Sequence, residues 1–236
     1  MRMELPAALL ALAMLPAPAV NAGPFDDGVA AYRSGDYAAA LVLWRPLADA
    51  GDGMAQYNLG LIHHNAKGVP RDLSEAASWY RKAAEQGVAR AQHNLAVMLA
   101  NGEGVARDEA EAFRWWRLAA EEGLAEARYN LGLAYAEGRG APADDAEAVR
   151  WFRLAAEEAF GPAQYNLAVM YARGRGVRQD LVAAHMWFEL AAAQNVELAA
   201  TGRDMVAGLL SLGQLAEARH QAGDWLARHR QLPGTE

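Results

Sequence analysis

Cysteine is absent from the 236 residues. That absence excludes disulfides, thiolate zinc sites, cysteine nucleophiles and the lipidated cysteine of a lipoprotein together. A basic stripe is missing as well. The 22 Lys and Arg are interleaved with 29 Asp and Glu, for a net charge of −7, so nothing in the chain suits a phosphate backbone and nucleic acid is not an expected partner. No His-Glu-x-x-His occurs, and His63 and His64, being adjacent, point about 100° apart on a helix. Neither a metal site nor a cofactor is expected. Ser34, Ser74, Ser78 and Ser211 lack the Gly-x-Ser-x-Gly elbow. No catalytic residue is assigned, and the chain is not read as an enzyme.

Long apolar runs are also scarce. The exception is Leu5 to Leu15, which follows Arg2 and is interrupted or flanked by Pro6, Pro16 and Pro18. It is shorter than the roughly 20 residues of a spanning helix and has the layout of a secretory signal. Val20-Asn21-Ala22 presents a cleavage site after Ala22, with Ala17-Pro18-Ala19 as the weaker choice and an uncleaved anchor as the alternative. Residues 1–22 are therefore expected to be a signal peptide. The mature protein is then expected in the periplasm or outside the cell, with no further membrane insertion.

What the chain does have is a period. Ala55-Gln56-Tyr57-Asn58-Leu59-Gly60 returns at 91, 127 and 163 as Ala-Gln-His-Asn-Leu-Ala, Ala-Arg-Tyr-Asn-Leu-Gly and Ala-Gln-Tyr-Asn-Leu-Ala. Gly68, Asp72 and Trp79 each return three times at the same step of 36. Such a period marks stacked supersecondary units. Each unit reads as two helices. Ala55, Leu59 and Ile62 line one face of the first, and Ala76, Trp79, Tyr80 and Ala83 line the second. Between them, Gly102 and Gly104, Gly138 and Gly140, and Gly174 and Gly176 allow left-handed backbone.

The second helix opens at an aspartate. Asp72 with Glu75, Asp108 with Glu111, and Asp144 with Glu147 have capping-box spacing, whereas the fourth copy has Ala183. Gly87, Gly123 and Asn195 are expected to end these helices, and Ala159 predicts a less sharply stopped end. The expected organisation is a degenerate pair over 23–52, repeats over 53–88, 89–124, 125–160 and 161–196, and a helical cap and tail over 197–236. Within the cap, Leu215, Ala218, Ala222 and Trp225 share a face. The fold class is all-α.

The motif Ala-x-Tyr-Asn-Leu-Gly, Gly-x-Gly-Val, Asp, Ala-x-x-Trp-Tyr-x-x-Ala-Ala-Glu-x-Gly resembles the Sel-one-like repeat, a relative of the tetratricopeptide repeat, over roughly residues 25–196. The resemblance implies a right-handed α-α superhelical solenoid whose first helices form a concave face. It also implies an adaptor that binds a protein or peptide, some bacterial relatives being periplasmic regulators of membrane sensors or parts of envelope assemblies. A cysteine-rich secreted branch is connected with β-lactam binding or hydrolysis, and this chain lacks its cysteine pairs. A cell-wall or β-lactam hydrolase and a self-assembling structural repeat stay open as alternatives.

The repeated Trp and Asn columns read as scaffold. For Asn58, Asn94, Asn130 and Asn166, beside the buried stripe, the expected role is an inter-unit hydrogen bond to a loop carbonyl. The binding surface is expected on a different stripe of the first helices. It carries Tyr57, Leu61, His64 and Asn65 in copy one, His93 and Asn101 in copy two, Tyr129 and Glu137 in copy three, and Tyr165 and Arg173 in copy four. An aromatic and an aliphatic recur while charge varies, which suits an amphipathic peptide, although the tyrosines also suit packing between first helices. With a helix packing distance of about 10 Å, five pairs span about 50 Å, room for roughly 15 extended residues.

Overall fold

A computed structural model describes residues 23–229. Those residues form twelve helices and no strand: α1 Pro24–Ser34, α2 Tyr37–Asp49, α3 Gly53–His64, α4 Leu73–Glu85, α5 Ala89–Asn101, α6 Glu109–Glu121, α7 Ala125–Glu137, α8 Asp145–Glu157, α9 Gly161–Arg173, α10 Leu181–Ala193, α11 Ala199–Ala207 and α12 Leu212–His229. The expected signal peptide lies outside the described residues. From α1 to α10 each odd helix packs on the even helix that follows it and each even helix on the next odd one, giving a repeat solenoid. No described helix is long and apolar enough to cross a membrane.

The alanine columns explain the close approach. Ala55, Ala76, Ala83, Ala91, Ala112 and Ala119 are wholly buried, and Trp79, Trp151 and Trp187 fill the space beside them while Trp115 is half-buried. Trp79 sits in a cluster with Trp44, Ala48, Ala55, Leu59 and Ile62, so it joins its own repeat to the N-terminal pair.

The start of each second helix departs from the capping box. Asp72, Asp108, Asp144 and Asp180 do cap, accepting the N–H three residues on. The reciprocal glutamate bond is not made, because the aspartate N–H is already taken by a carbonyl of the first helix (Asp72 to His63 at 3.2 Å, Asp144 to Tyr135 at 2.9 Å). The freed glutamates instead accept from the tryptophan indoles: Trp79 to Glu75 at 3.2 Å, Trp115 to Glu111 at 3.1 Å, Trp151 to Glu147 at 3.1 Å. Glu75 also holds Arg45, and Glu111 holds Arg81, from the preceding unit. Burial alone would raise the Glu75 carboxyl; the bonds from Trp79 and Arg45 outweigh it and hold the pKa below its ordinary value.

Two further expectations are corrected. The inter-unit bond to a main-chain carbonyl that was assigned to the asparagines is made two residues earlier. Gln56, Gln92 and Gln164 donate to the carbonyls of Ala48, Ala84 and Ala156 at 3.0, 3.2 and 3.1 Å, and Arg128 does so to Ala120 at 3.1 Å. The glutamine reaches back to a main-chain carbonyl of the preceding unit, whereas Asn94 and Asn166 reach that unit's Tyr57 and Tyr129 hydroxyls instead of a loop carbonyl. Nor is α8 loosely ended at Ala159. That residue adopts φ 61° and closes the helix as Gly87 and Gly123 close theirs, with Phe160 N–H bonded to Ala155 O at 3.1 Å. Packing of Phe160 overrides the alanine's preference.

At the C-terminal end α11 and α12 both pack on α10. Ala218, Ala222 and Trp225 are buried, and Trp225 meets Trp187 edge-on at 6.1 Å while its indole donates to Glu157 at 3.0 Å.

Candidate functional site

The first-helix stripe lies where the tyrosines meet the second helices of their own repeats. Tyr57 packs on Tyr80 at 5.9 Å, Tyr129 on Phe152 at 6.0 Å and on Phe160 at 5.4 Å, and Tyr165 on Phe188 at 5.6 Å. The rings therefore pack on the second helix of their own unit, while the hydroxyls of Tyr57 and Tyr129 reach Asn94 and Asn166 on the next first helix. Gly60 and Gly132 stand where a Cβ would overlap Tyr80 and Phe152, so the small residue makes room for the ring.

Three depressions open along this stripe. Tyr57, Arg90, His93, Asn94, Leu124 and Glu126 bound one of about 180 Å³. Leu61, His64, Asn65, Tyr80, Val97 and Met98, again with His93 and Asn94, bound a second of about 290 Å³. The shared His93 and Asn94 make these two neighbours. The third, about 190 Å³, lies at the other end among Tyr165, Val169, Ala172, Arg173, Phe188, Gly202, Met205 and Val206.

Of the residues expected to form the binding surface, Tyr57, Leu61, His64, Asn65, His93, Tyr165 and Arg173 line these depressions. Tyr57 is buried, Leu61, His64, His93 and Tyr165 are half-buried, and Asn65 and Arg173 are exposed. Tyr129 is half-buried between Phe152 and Phe160 and lines none of the three. Asn101 and Glu137 are exposed and turn to local partners, Glu103 at 2.9 Å and Arg139 at 2.7 Å. The stripe missed Tyr80, Asn94, Phe188 and Met205. Tyr80 and Phe188 had a signal, since an aromatic follows the tryptophan in every copy (Tyr80, Trp116, Phe152, Phe188). Met205, 71 % exposed, is placed by the cap, where the motif no longer repeats.

The two ends differ in chemistry. At the α3–α7 end, burial pushes the His93 imidazole below its ordinary pKa against the pull of Glu126, so the ring is neutral near pH 7. Burial raises the Tyr57 hydroxyl, opposed by Arg90, and Asn94 faces the hydroxyls of Tyr57 and Tyr80. That end offers uncharged donors and acceptors beside one cation and one anion. At the α9–α11 end Val169, Ala172, Phe188 and Val206 make an apolar hollow with Arg173 at its rim. The arrangement supplies hydrogen bonds at one end and apolar contact at the other.

Comparison with known proteins gives this geometry its relatives. A Sel1 repeat protein from Oxalobacter formigenes, known from its crystal structure, is 31 % identical and superposes with a TM-score of 0.70 over 74 % of this chain and 72 % of that one. A protective antigen of uropathogenic Escherichia coli with the same kind of fold is 27 % identical, with a TM-score of 0.59 over 90 % of this chain and 56 % of that one. Among curated proteins, the DAP3-binding cell death enhancer 1 of Rattus norvegicus is 48 % identical over 44 residues; the match takes in 19 % of this chain and only 9 % of that protein. The family model of the Sel1 repeat matches residues 53–88, 89–124, 125–160 and 161–196.

Proposed function

The chain belongs to the Sel1 repeat family, whose solenoids are in general protein–protein interaction scaffolds, and from that premise we propose that it is an exported scaffold or regulator holding a peptide or protein segment on its first-helix face. The observation that carries the reading is the run of depressions along that face, polar around His93 and apolar around Phe188. A segment with an apolar anchor at one end and polar groups toward the other matches both, as amphipathic peptides match grooves elsewhere. Export is supported by the sequence of residues 1–22, with its apolar stretch and Ala22 cleavage site. The periplasm or the exterior is the proposed compartment, and a membrane sensor or envelope assembly the proposed kind of partner.

Photo-crosslinking in the producing cell tests this. A crosslinking residue at Asn65, Arg173 or Met205, all exposed on or beside the stripe, is expected to trap one protein species. The same residue at the exposed outer positions Arg114 and Arg150 is expected to trap none. Equal trapping from both sets of positions rejects the face, and fractionation of the same cells to the cytoplasm rejects export.

A further inference from the structure

The repeat motif ends at residue 196, but its register runs on into α11. A step of 36 from the buried Ala163 and Met170 reaches Ala199 and Val206, which are buried as well. α11 also packs on α10 as α9 packs on α8. It is therefore a fifth first helix. The stripe that carries Val169 and Arg173 on α9 continues on it as Met205 and Leu209, with Leu198 at the register of Pro162. Leu198, Met205 and Leu209 are 60, 71 and 70 % exposed, so the first-helix face ends in an uncovered apolar wall.

This fifth copy lacks one contact of the earlier ones. Asn94 and Asn166 reach the hydroxyls of Tyr57 and Tyr129 in the unit before. The residue at that register in α11 is Gly202, where a Cβ would overlap the Phe188 ring at 2.7 Å. No amide closes the gap beside Tyr165, and the hollow of about 190 Å³ lined by Tyr165, Val169, Phe188, Gly202, Met205 and Val206 stands there. It is smaller than the roughly 300 Å³ at which pockets for drug-sized ligands begin, so it holds a single side chain. Two aromatic rings and a thioether in its wall favour an aromatic guest over an aliphatic one. At the rim Arg173 is exposed and makes no ion pair among the described residues, while Asp204 of α11 is held by Arg203 at 2.8 Å. The rim therefore offers one uncompensated positive charge beside the apolar wall. Resting on the first-helix reading, we propose that this hollow is the anchor site of that face, and that it takes an aromatic side chain of the partner with a carboxylate beside it.

Titration of methyl-labelled protein with N-acetyl-tryptophan, N-acetyl-tryptophanamide and N-acetyl-leucine tests this. N-acetyl-tryptophan is expected to shift the methyl signals of Val169, Met205 and Val206 saturably. The uncharged amide and the leucine compound are each expected to bind about threefold more weakly, the one for want of the carboxylate and the other of the ring. Arg173→Gln should make the acid and the amide equal, and Met205→Glu, at an exposed position, should weaken N-acetyl-tryptophan while leaving the circular dichroism spectrum unchanged. No saturable shifts, equal binding of the tryptophan and leucine compounds, equal binding of acid and amide to the unaltered protein, or shifts around His93 instead would overturn the proposal. Photo-crosslinking separates the anchor from the face. Trapping at Asn65 that Met205→Glu leaves unchanged would overturn the anchor and keep the face, whereas no trapping at any stripe position would reject the face and the anchor with it.

Discussion

Replacing Gln164 with methionine isolates the inter-unit bond that the glutamine column makes. Gln164 is wholly buried, donates to Ala156 O at 3.1 Å and accepts from Gln194 at 2.8 Å. Methionine keeps the volume, so no cavity term enters. The Ala156 carbonyl retains the Ala159 N–H at 3.1 Å, and Gln194 is exposed and turns to water. No buried group is orphaned, and the loss is that of the made bonds, about 1–2 kcal/mol. Asn166→Ala is the control. Its side chain is half-buried toward the Tyr129 hydroxyl, and alanine returns part of any loss through helix propensity, so the net change is expected below about 0.5 kcal/mol. Urea denaturation followed by circular dichroism measures both. A larger loss from Asn166→Ala than from Gln164→Met would show that the asparagine, after all, holds the units together.

Three other substitutions probe separate links. Ala159→Gly relieves left-handed strain of about 1–2 kcal/mol, less what glycine gives back to the unfolded chain, and should stabilise by about 0.5–1 kcal/mol in the same melts. Trp79→Ala removes a 4 % exposed ring from the joint between α2, α3 and α4 and should cost about 3–5 kcal/mol. His185 is 1 % exposed, and burial depresses its pKa, opposed by Glu189 of α10 and reinforced by Arg219 of α12 and Arg203 of α11. A depressed histidine stabilises the fold above its unfolded value near pH 6.5 and loses that contribution as pH falls from there through the folded value. The melting temperature should therefore drop between pH 7 and 5, and His185→Val should flatten that drop; an unchanged slope would remove His185 from the account. His93 acts in the same direction, so the flattening is partial.

The repeat was legible because stacking writes itself into one dimension. Trp79, Gly104, Asp108 and Ala112 recur at the step of 36 since each copy meets the same neighbour. The bonds those residues make were less legible. The Asp72 N–H goes to a carbonyl of α3, and the Gln56 amide to a carbonyl of α2; both follow from how close the helices come, which a periodic pattern does not state. Ala159 shows propensity yielding to the packing of the next residue. The stripe through Tyr57, Leu61 and Tyr165 was visible as a helical face. The wall that Met205 adds depends on how a non-repeating cap folds back.

Binding of a protein segment by the first-helix face is measured by calorimetric titration of the crosslinked partner. Val169→Arg at the apolar hollow and Arg173→Glu at its rim alter the face, and Arg114→Glu alters the outer surface. The expected result is a loss of affinity of about tenfold or more for the first two, worth about 1.4 kcal/mol each, and no loss for the third. Affinity unchanged by Val169→Arg and Arg173→Glu together would contradict it.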